Sequence, residues 1–154
     1  MKKSMYAFKY SNRREYASFY AKVLVKEFGG IINSFGAQAL VPVPLYRSKE
    51  RKRGYNQAEV LATELSKLLG IPVDRSLIRR VKNTAPLKTL STEERKNNIR
   101  NAFQIRKNGL KYSKIVIVDD IYTTGTTIDE CAAKLIESGI NDVYFITACI
   151  GNGF

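Results

Sequence analysis

Apolar positions along the chain recur at two spacings, and each spacing marks its own segments. Tyr16, Phe19, Tyr20, Val23 and Leu24 follow the i, i+3, i+4, i+7, i+8 spacing of one helical face, so Ser11–Phe28 reads as an amphipathic helix stopped by Gly29-Gly30. Gln38–Val43 is a short apolar run closed by Pro44 and reads as a buried strand. Asn56 can cap a following helix, with Glu59 completing a capping box. That helix sets Ala58, Leu61, Leu65 and Leu68 on one face and ends at Gly70. Leu77–Val81 reads as a short strand, Lys82–Leu90 as a loop around Pro86, and Ser91-Thr92-Glu93-Glu94 as a second capping box opening a short polar helix over Thr92–Asn98.

The clearest strand is Lys114–Asp119. Ile115-Val116-Ile117-Val118 lacks alternation, which requires burial of both faces, as in a parallel sheet between helices. A helix over Ile128–Ser138 follows, with Ile128, Cys131, Ala132, Leu135 and Ile136 on one face and Gly139 as its stop. Val143–Ile150 completes a strand–helix–strand unit. The pattern predicts an α/β fold with a largely parallel sheet flanked by helices, in a single domain over residues 1–154.

Composition narrows the chemistry. Hydrophobic residues at 44% and charged residues at 26% are ordinary for a globular chain. No apolar run has the length of a membrane span or a signal peptide, and the two cysteines, Cys131 and Cys149, read as buried thiols rather than a disulfide framework. The expected compartment is therefore the cytoplasm. The chain has no histidine. That excludes Ser-His-Asp and Cys-His hydrolases and histidine-bearing zinc sites, and two cysteines cannot build a four-cysteine one. A net charge of +12 fits an anionic partner, a phosphorylated small molecule or a nucleic acid, and equally fits plain solubility.

The chemistry concentrates in Ile115–Thr127. A buried strand delivers Asp119 and Asp120 to its carboxyl end; Thr123, Thr124, Gly125, Thr126 and Thr127 follow, and a helix begins. Ligands of open α/β sheets sit at the carboxyl ends of strands. A helix start offers unpaired N–H groups to a phosphate, and Gly125 permits close backbone approach. The bland alternative is a turn at Asp-Asp and a capping box of Thr127 with Glu130. Taken together, these thirteen residues resemble the phosphoribosyl pyrophosphate (PRPP) motif of type I phosphoribosyltransferases. The resemblance implies that Asp119 and Asp120 hold the ribose hydroxyls, or a magnesium ion through water, and that Thr123–Thr127 hold the 5-phosphate. Purine-salvage members carry an Asp at the position of Thr123, so no base is expected from this loop.

A second constellation follows the Gln38–Val43 strand. In type I enzymes a loop after an early strand cradles pyrophosphate, which makes Leu45, Tyr46, Arg47 and Ser48 the candidates here. Five of the seven residues Arg47–Arg53 are basic, a solvated charge run or a funnel for polyanions. The stretch Arg53-Gly54-Tyr55-Asn56-Gln57-Ala58-Glu59 resembles the signature of the ComF-type competence proteins, a phosphoribosyltransferase-like branch. Phe8-Lys9-Tyr10, Thr84, Leu90-Ser91, Glu94-Arg95, Asn98 and Ala102-Phe103 match that family in order. Leu87 stands where the family has Gln, and the family's N-terminal zinc ribbon is absent from this chain. Asn56 and Gln57 are a cap and its neighbour or ligand contacts, the cap being favoured for Asn56.

The resemblance implies a PRPP-binding protein of natural transformation that transfers phosphoribosyl to an acceptor the sequence does not identify, with release of pyrophosphate and with magnesium as cofactor. The alternative it leaves open is a non-enzymatic single-stranded DNA-binding or adaptor protein working with a DNA-uptake helicase. Lys49, Arg51, Lys52, Arg53, Arg79, Arg80, Lys82 and Lys88 would then meet a phosphate backbone, with Tyr46 and Tyr55 either stacking on bases or packing internally.

Overall fold

A computed structural model describes residues 15–83, 94, 99–106 and 111–151. The expected loop at 84–90, most of the polar helix at 92–98, and the family positions Phe8-Lys9-Tyr10, Thr84, Leu87, Leu90-Ser91, Arg95 and Asn98 lie outside the described residues. In chain order the elements are α1 (Glu15–Ser34), β1 (Ala39–Pro42), α2 (Arg47–Arg53), α3 (Gln57–Leu69), β2 (Ile78–Arg80), β3 (Phe103–Ile105), β4 (Lys114–Tyr122), α4 (Thr126–Glu137) and β5 (Asp142–Ile150). Among the described residues no helix is long and apolar enough to cross a membrane.

The main sheet has the order β1-β4-β5, all parallel, with Val41 opposite Ile117 and Val118 opposite Ile146. A single parallel bridge from Leu40 to Val73 extends it beyond β1. Strand alternation divides the core in two. Leu40, Val116, Val118 and Ile146 meet Ala17, Tyr20, Leu61 and Leu65 on the face covered by α1 and α3. Ala39, Val41, Ile115 and Ile117 meet Ile128, Cys131 and Leu135 of α4 together with Ile78 and Phe103 on the opposite face. Ile115, Val116, Ile117 and Val118 are all fully buried, as the missing alternation predicts. Each such side chain contributes about 1.5–3 kcal/mol of burial.

Several expectations need correction. Gly29-Gly30 does not stop α1, which runs on to Ser34. Two interior glycines cost about 2 kcal/mol relative to alanine, and the burial of Ile32, 2% exposed, at the end of the extra turn offsets most of that. The buried stripe of α1 is Ala17, Tyr20, Ala21 and Ile32, while Phe19 and Val23 are 61% and 42% exposed. Two alanines let the helix lie close to α3, and that close approach rotates the larger Phe19 outward. Leu68 and Ile136, placed on core faces by their spacing, are also exposed. Cys131 is a buried thiol, and Cys149 on β5 is only half-buried.

The strand β3 has no counterpart among the sequence expectations. Three residues pair antiparallel with β2, Arg79 opposite Gln104, and Phe103 plugs the core beneath. A polar staple secures this strand pair. Asp74 Oδ1 accepts from the backbone N–H and hydroxyl of Ser76 at 2.9 Å each, and its Oδ2 accepts from Arg106 at 3.4 Å and from Tyr112 at 3.3 Å. Burial alone would raise the Asp74 carboxyl, but the Ser76 bonds, the Arg106 charge and the Tyr112 hydroxyl outweigh it and hold it below its ordinary value. A depressed native-state value means that the stabilisation is present above the unfolded carboxyl's value near pH 4 and is lost as pH falls through the native one. Asp74→Asn should therefore cost about 1–2 kcal/mol at pH 7 by urea denaturation, and the gap to the parent should close toward pH 2.5. A gap that persists at that pH would contradict the ionic origin.

Candidate functional site

β4 outlasts the predicted strand by three residues and carries both aspartates within its ladder to Tyr122. Asp119 and Asp120 are consecutive, so the pleat sends them to opposite faces. Asp119 is half-buried and its Oδ1 accepts the Asp120 N–H at 2.8 Å; Asp120 is only 8% exposed. After Tyr122 the chain turns through Thr123 and Thr124 to Gly125, which caps α4 at φ +78°. The predicted box of Thr127 with Glu130 does not form. Gly125 takes the cap position, and Glu130 accepts the Asn101 N–H at 2.7 Å, tying the turn before β3 to α4.

A shallow open hollow lies at this carboxyl end of β4, walled by Asp119, Tyr122, Thr123, Gly125, Thr126 and Thr127, with Ile121 and Ile128. The hydroxyls of Thr124 and Thr126 lie 3.2 Å apart at its rim. The structure thus brings five of the seven motif residues together around one space, with Thr124 beside it and Asp120 buried behind. Tyr122 was not among the expected site residues. Its ring stacks on Phe145 at 5.6 Å, and its hydroxyl lies over Gly125, where a Cβ atom would come within 2.7 Å of it.

The predicted pyrophosphate loop is only partly a loop. Leu45 and Tyr46 are extended, but Arg47 and Ser48 open α2, because the Tyr46 carbonyl accepts from Lys49 and Glu50 N–H groups at 2.8 and 3.0 Å and starts a helical turn. Helical spacing then divides the basic run. Arg47, Arg51 and Lys52 are exposed, while Lys49 and Arg53, four residues apart, are half-buried on the inner side. Lys49 is held below the usual lysine range, first by burial and then by the charges of Arg80 and Arg53. Arg80 lies with its guanidinium 5.3 Å above the Phe103 ring. Burial works against its charge, the Asp119 carboxylate favours it and Arg53 opposes it. Arg79, next in sequence, points away and donates to Gln104 at 2.8 Å. Of the residues read as nucleic-acid candidates, Lys49, Arg53 and Arg80 are half-buried, and Arg80 alone of them feels the Asp119 charge; Arg51, Lys52 and Arg79 face solvent. The i, i+4 spacing of Lys49 and Arg53 was the signal that could have separated them.

The signature from Arg53 to Glu59 is the corner between α2 and α3. Gly54 ends α2 at φ +82°, Tyr55 is buried, and Asn56 caps α3 by accepting the Ala58 N–H at 3.1 Å. Asn56 also donates to the Val43 carbonyl at 3.0 Å and so binds the exit of β1 to this corner, while Glu59 pairs with Arg75 at 2.6 Å. Asn56→Ala removes a cap and leaves a buried carbonyl unsatisfied, so it should lower stability by about 2–3 kcal/mol, read as a drop in Tm.

The phosphoribosyl transferase domain family matches residues 54–152, from this corner to the end of β5. Competence protein F of Haemophilus influenzae is 39% identical over 108 residues, covering 69% of this chain and 47% of the relative. The DNA utilization protein YhgH of Salmonella typhimurium is 36% identical over 146 residues, covering 92% and 63%.

The chain belongs to the ComF-type family of phosphoribosyltransferase-like proteins.

It spans between about half and two thirds of the length of these relatives. The ComF-type chain also shares its fold with a glutamine phosphoribosylpyrophosphate amidotransferase from B. subtilis, at TM-score 0.60 and 16% identity over 94% of this chain and 30% of that one. The parallel sheet flanked by helices is thus a type I phosphoribosyltransferase fold. The family match takes in the Asp119–Thr127 loop but stops short of β1 and α2.

Proposed function

We propose that the ComF-type chain binds PRPP, with its ribose 5-phosphate in the hollow at the end of β4 and its pyrophosphate toward Lys49, Arg53 and Arg80. One observation carries this reading: a carboxylate, a hydroxyl-rich loop and a helix start share a single space. The 5-phosphate would sit on the first turn of α4 among Thr123, Thr124, Gly125, Thr126 and Thr127, where unpaired N–H groups and the helix dipole favour an anion. Asp119 would accept from the ribose hydroxyls, with Asp120 behind it. Leu45 and Tyr46 would pass along the pyrophosphate, and Arg47 and Ser48 would offer the α2 start.

Among the described residues no three His, Cys, Asp or Glu side chains could hold an ion together, and Asp119 Oδ1 already accepts a backbone N–H. Asp119 is the carboxylate that would steady a magnesium ion through water, and the ion would neutralise pyrophosphate charge; Asp120, on the opposite face of β4, does not reach the same side. Transfer would break the bond from ribose C1 to the pyrophosphate oxygen and form one to the acceptor. The chain's part would be positioning and charge stabilisation. With no histidine and with Thr at 123, the proton leaving the acceptor would go to water or to the departing pyrophosphate.

Calorimetry with ribose 5-phosphate, and with PRPP plus magnesium, tests the reading. Four or five hydrogen bonds to charge should give binding on the order of micromolar. Asp119→Ala should lose about tenfold or more. If neither ligand binds the parent, the proposal fails.

The outward cations Arg47, Arg51, Lys52 and Arg79 favour a second, compatible reading, an exposed track for single-stranded DNA in the cytoplasm, received from a DNA-uptake helicase. Its affinity would fall steeply with salt and would be insensitive to Asp119→Ala; a flat salt response would exclude it.

A further inference from the structure

We infer that Gly151 is a positioning residue: the lack of a side chain just past β5 lets the Thr123 methyl seat against it, and that seat aims the Thr123 hydroxyl into the hollow at the end of β4. The inference rests on the PRPP reading for the identity of the anion that this hydroxyl meets.

β4 and β5 stay paired as far as Tyr122 and Ile150, and one more backbone bond follows, from the Gly151 N–H to the Tyr122 carbonyl at 2.7 Å. It lies where the chain leaves the sheet for Thr123, and it draws Gly151 against the start of the loop. A Cβ atom on Gly151 would come within 2.8 Å of Ile121 Cδ1, 3.3 Å of Ile121 Cγ1 and 3.2 Å of Thr123 Cγ2. The Gly151 backbone is not left-handed, so the close approach, and not the dihedral angle, is what excludes a side chain here.

Ile121 and Thr123 both wall the hollow. Thr123 is exposed, so burial does not hold its rotamer. A turn of about 120° about χ1 would exchange its methyl and its hydroxyl. The γ atom turned to Gly151 is the methyl. Gly151 and the Ile121 side chain make an apolar seat for it, where a hydroxyl would lose its hydrogen bonds. Tetrahedral geometry at Cβ then points Oγ1 away from Gly151, and the space that Thr123 borders is the hollow. Among the described residues the Thr123 hydroxyl is engaged by no partner. A seated methyl leaves that hydroxyl ordered before an anion arrives, which is the usual gain from preorganisation.

The test is isothermal calorimetry on the full chain with ribose 5-phosphate as titrant. Gly151→Ala should weaken binding about fivefold, because the added methyl drives Thr123 off its rotamer and one hydrogen bond to the phosphate is lost. Two backgrounds separate this from a general disturbance of the loop. Thr123→Ser keeps the hydroxyl and removes the crowded methyl, and Thr123→Val keeps that methyl and removes the hydroxyl. In each background Gly151→Ala should cost less than about twofold, since either the crowding or the group it misaims is gone. A backbone disturbance would persist in the Thr123→Val background. No loss in the Thr123 parent, or an undiminished loss in either background, overturns the inference. The rotamer is also read without any Gly151 variant, so the inference stays testable if Gly151→Ala fails to fold. Nuclear magnetic resonance couplings of the Thr123 methyl should report one χ1 state, with a nuclear Overhauser contact from that methyl to the Gly151 α-protons; averaged couplings overturn the inference. A parent that binds ribose 5-phosphate while Gly151→Ala binds it equally sinks this inference alone. A parent that does not bind it sinks the PRPP reading as well.

Discussion

Gly125→Ala is expected to abolish measurable ribose 5-phosphate binding, a loss of at least about a hundredfold, while the chain stays folded. Two independent penalties fall on the same atom. At φ +78° an L side chain costs roughly 1–2 kcal/mol. The added Cβ would also lie 2.7 Å from the Tyr122 hydroxyl and 3.1 Å from the ring carbon bearing it. Tyr122 can yield only by leaving its stack on Phe145. The cap of α4 must then shift, and the N–H groups that would face the phosphate shift with it. Adding Tyr122→Ala to Gly125→Ala removes the steric part and leaves the backbone part, so it should recover about tenfold of the lost affinity. Circular dichroism and calorimetry on the three variants separate the terms. Wild-type affinity in Gly125→Ala would show that the phosphate does not use this helix start.

The second large effect concerns the inward cations. Arg80→Ala should weaken pyrophosphate binding by roughly thirtyfold or more, since a half-buried guanidinium close to the ligand acts in a medium that screens far less than bulk water. The same cluster gives a pH signature. Lys49 is held below the ordinary lysine value, so it is the first of these cations to lose its proton as pH rises. Pyrophosphate favours the ammonium and raises its proton affinity, so binding in the alkaline range should take up a proton, and affinity should fall as pH rises through the lowered Lys49 value, before an ordinary lysine would titrate. Calorimetry in buffers of different ionisation heat measures that uptake. Lys49→Arg, which stays charged throughout, should flatten the profile; an unchanged profile in that variant would assign the titration elsewhere.

Cys131 offers a contrast in reactivity. Burial, with the Asp119 and Glu130 charges adding, pushes its thiol far up, so it remains protonated and serves as core packing against α4's neighbours.

Local pattern sufficed wherever the chain's own periodicity decides the outcome. The buried run Ile115–Val118, the cap at Asn56, the helix after Gly125 and the loop of hydroxyls at the end of β4 all follow from neighbours within a few residues, because strand burial, capping and turn chemistry are short-range. The motif therefore announced where the central strand ends in a hydroxyl-rich turn and a helix start. Three things depended on contacts far apart in sequence. The strand Phe103–Ile105 exists because Ile78–Arg80 lies opposite it, and three residues carry too little pattern of their own. Phe19 turns to solvent because Ala17 and Ala21 let α1 approach α3, a choice made by the packing partner. The basic run from Arg47 to Arg53 reads as one charge block, yet the helix it forms leaves Lys49 and Arg53 half-buried and its other basic residues exposed, and burial and the charge of Arg80, from a distant strand, hold Lys49 below the usual lysine range. Local sequence determined which residues could carry the chemistry. Only the tertiary fold decided that Arg80, on a distant strand, feels the Asp119 carboxylate, since electrostatic partnership depends on distance in space and burial.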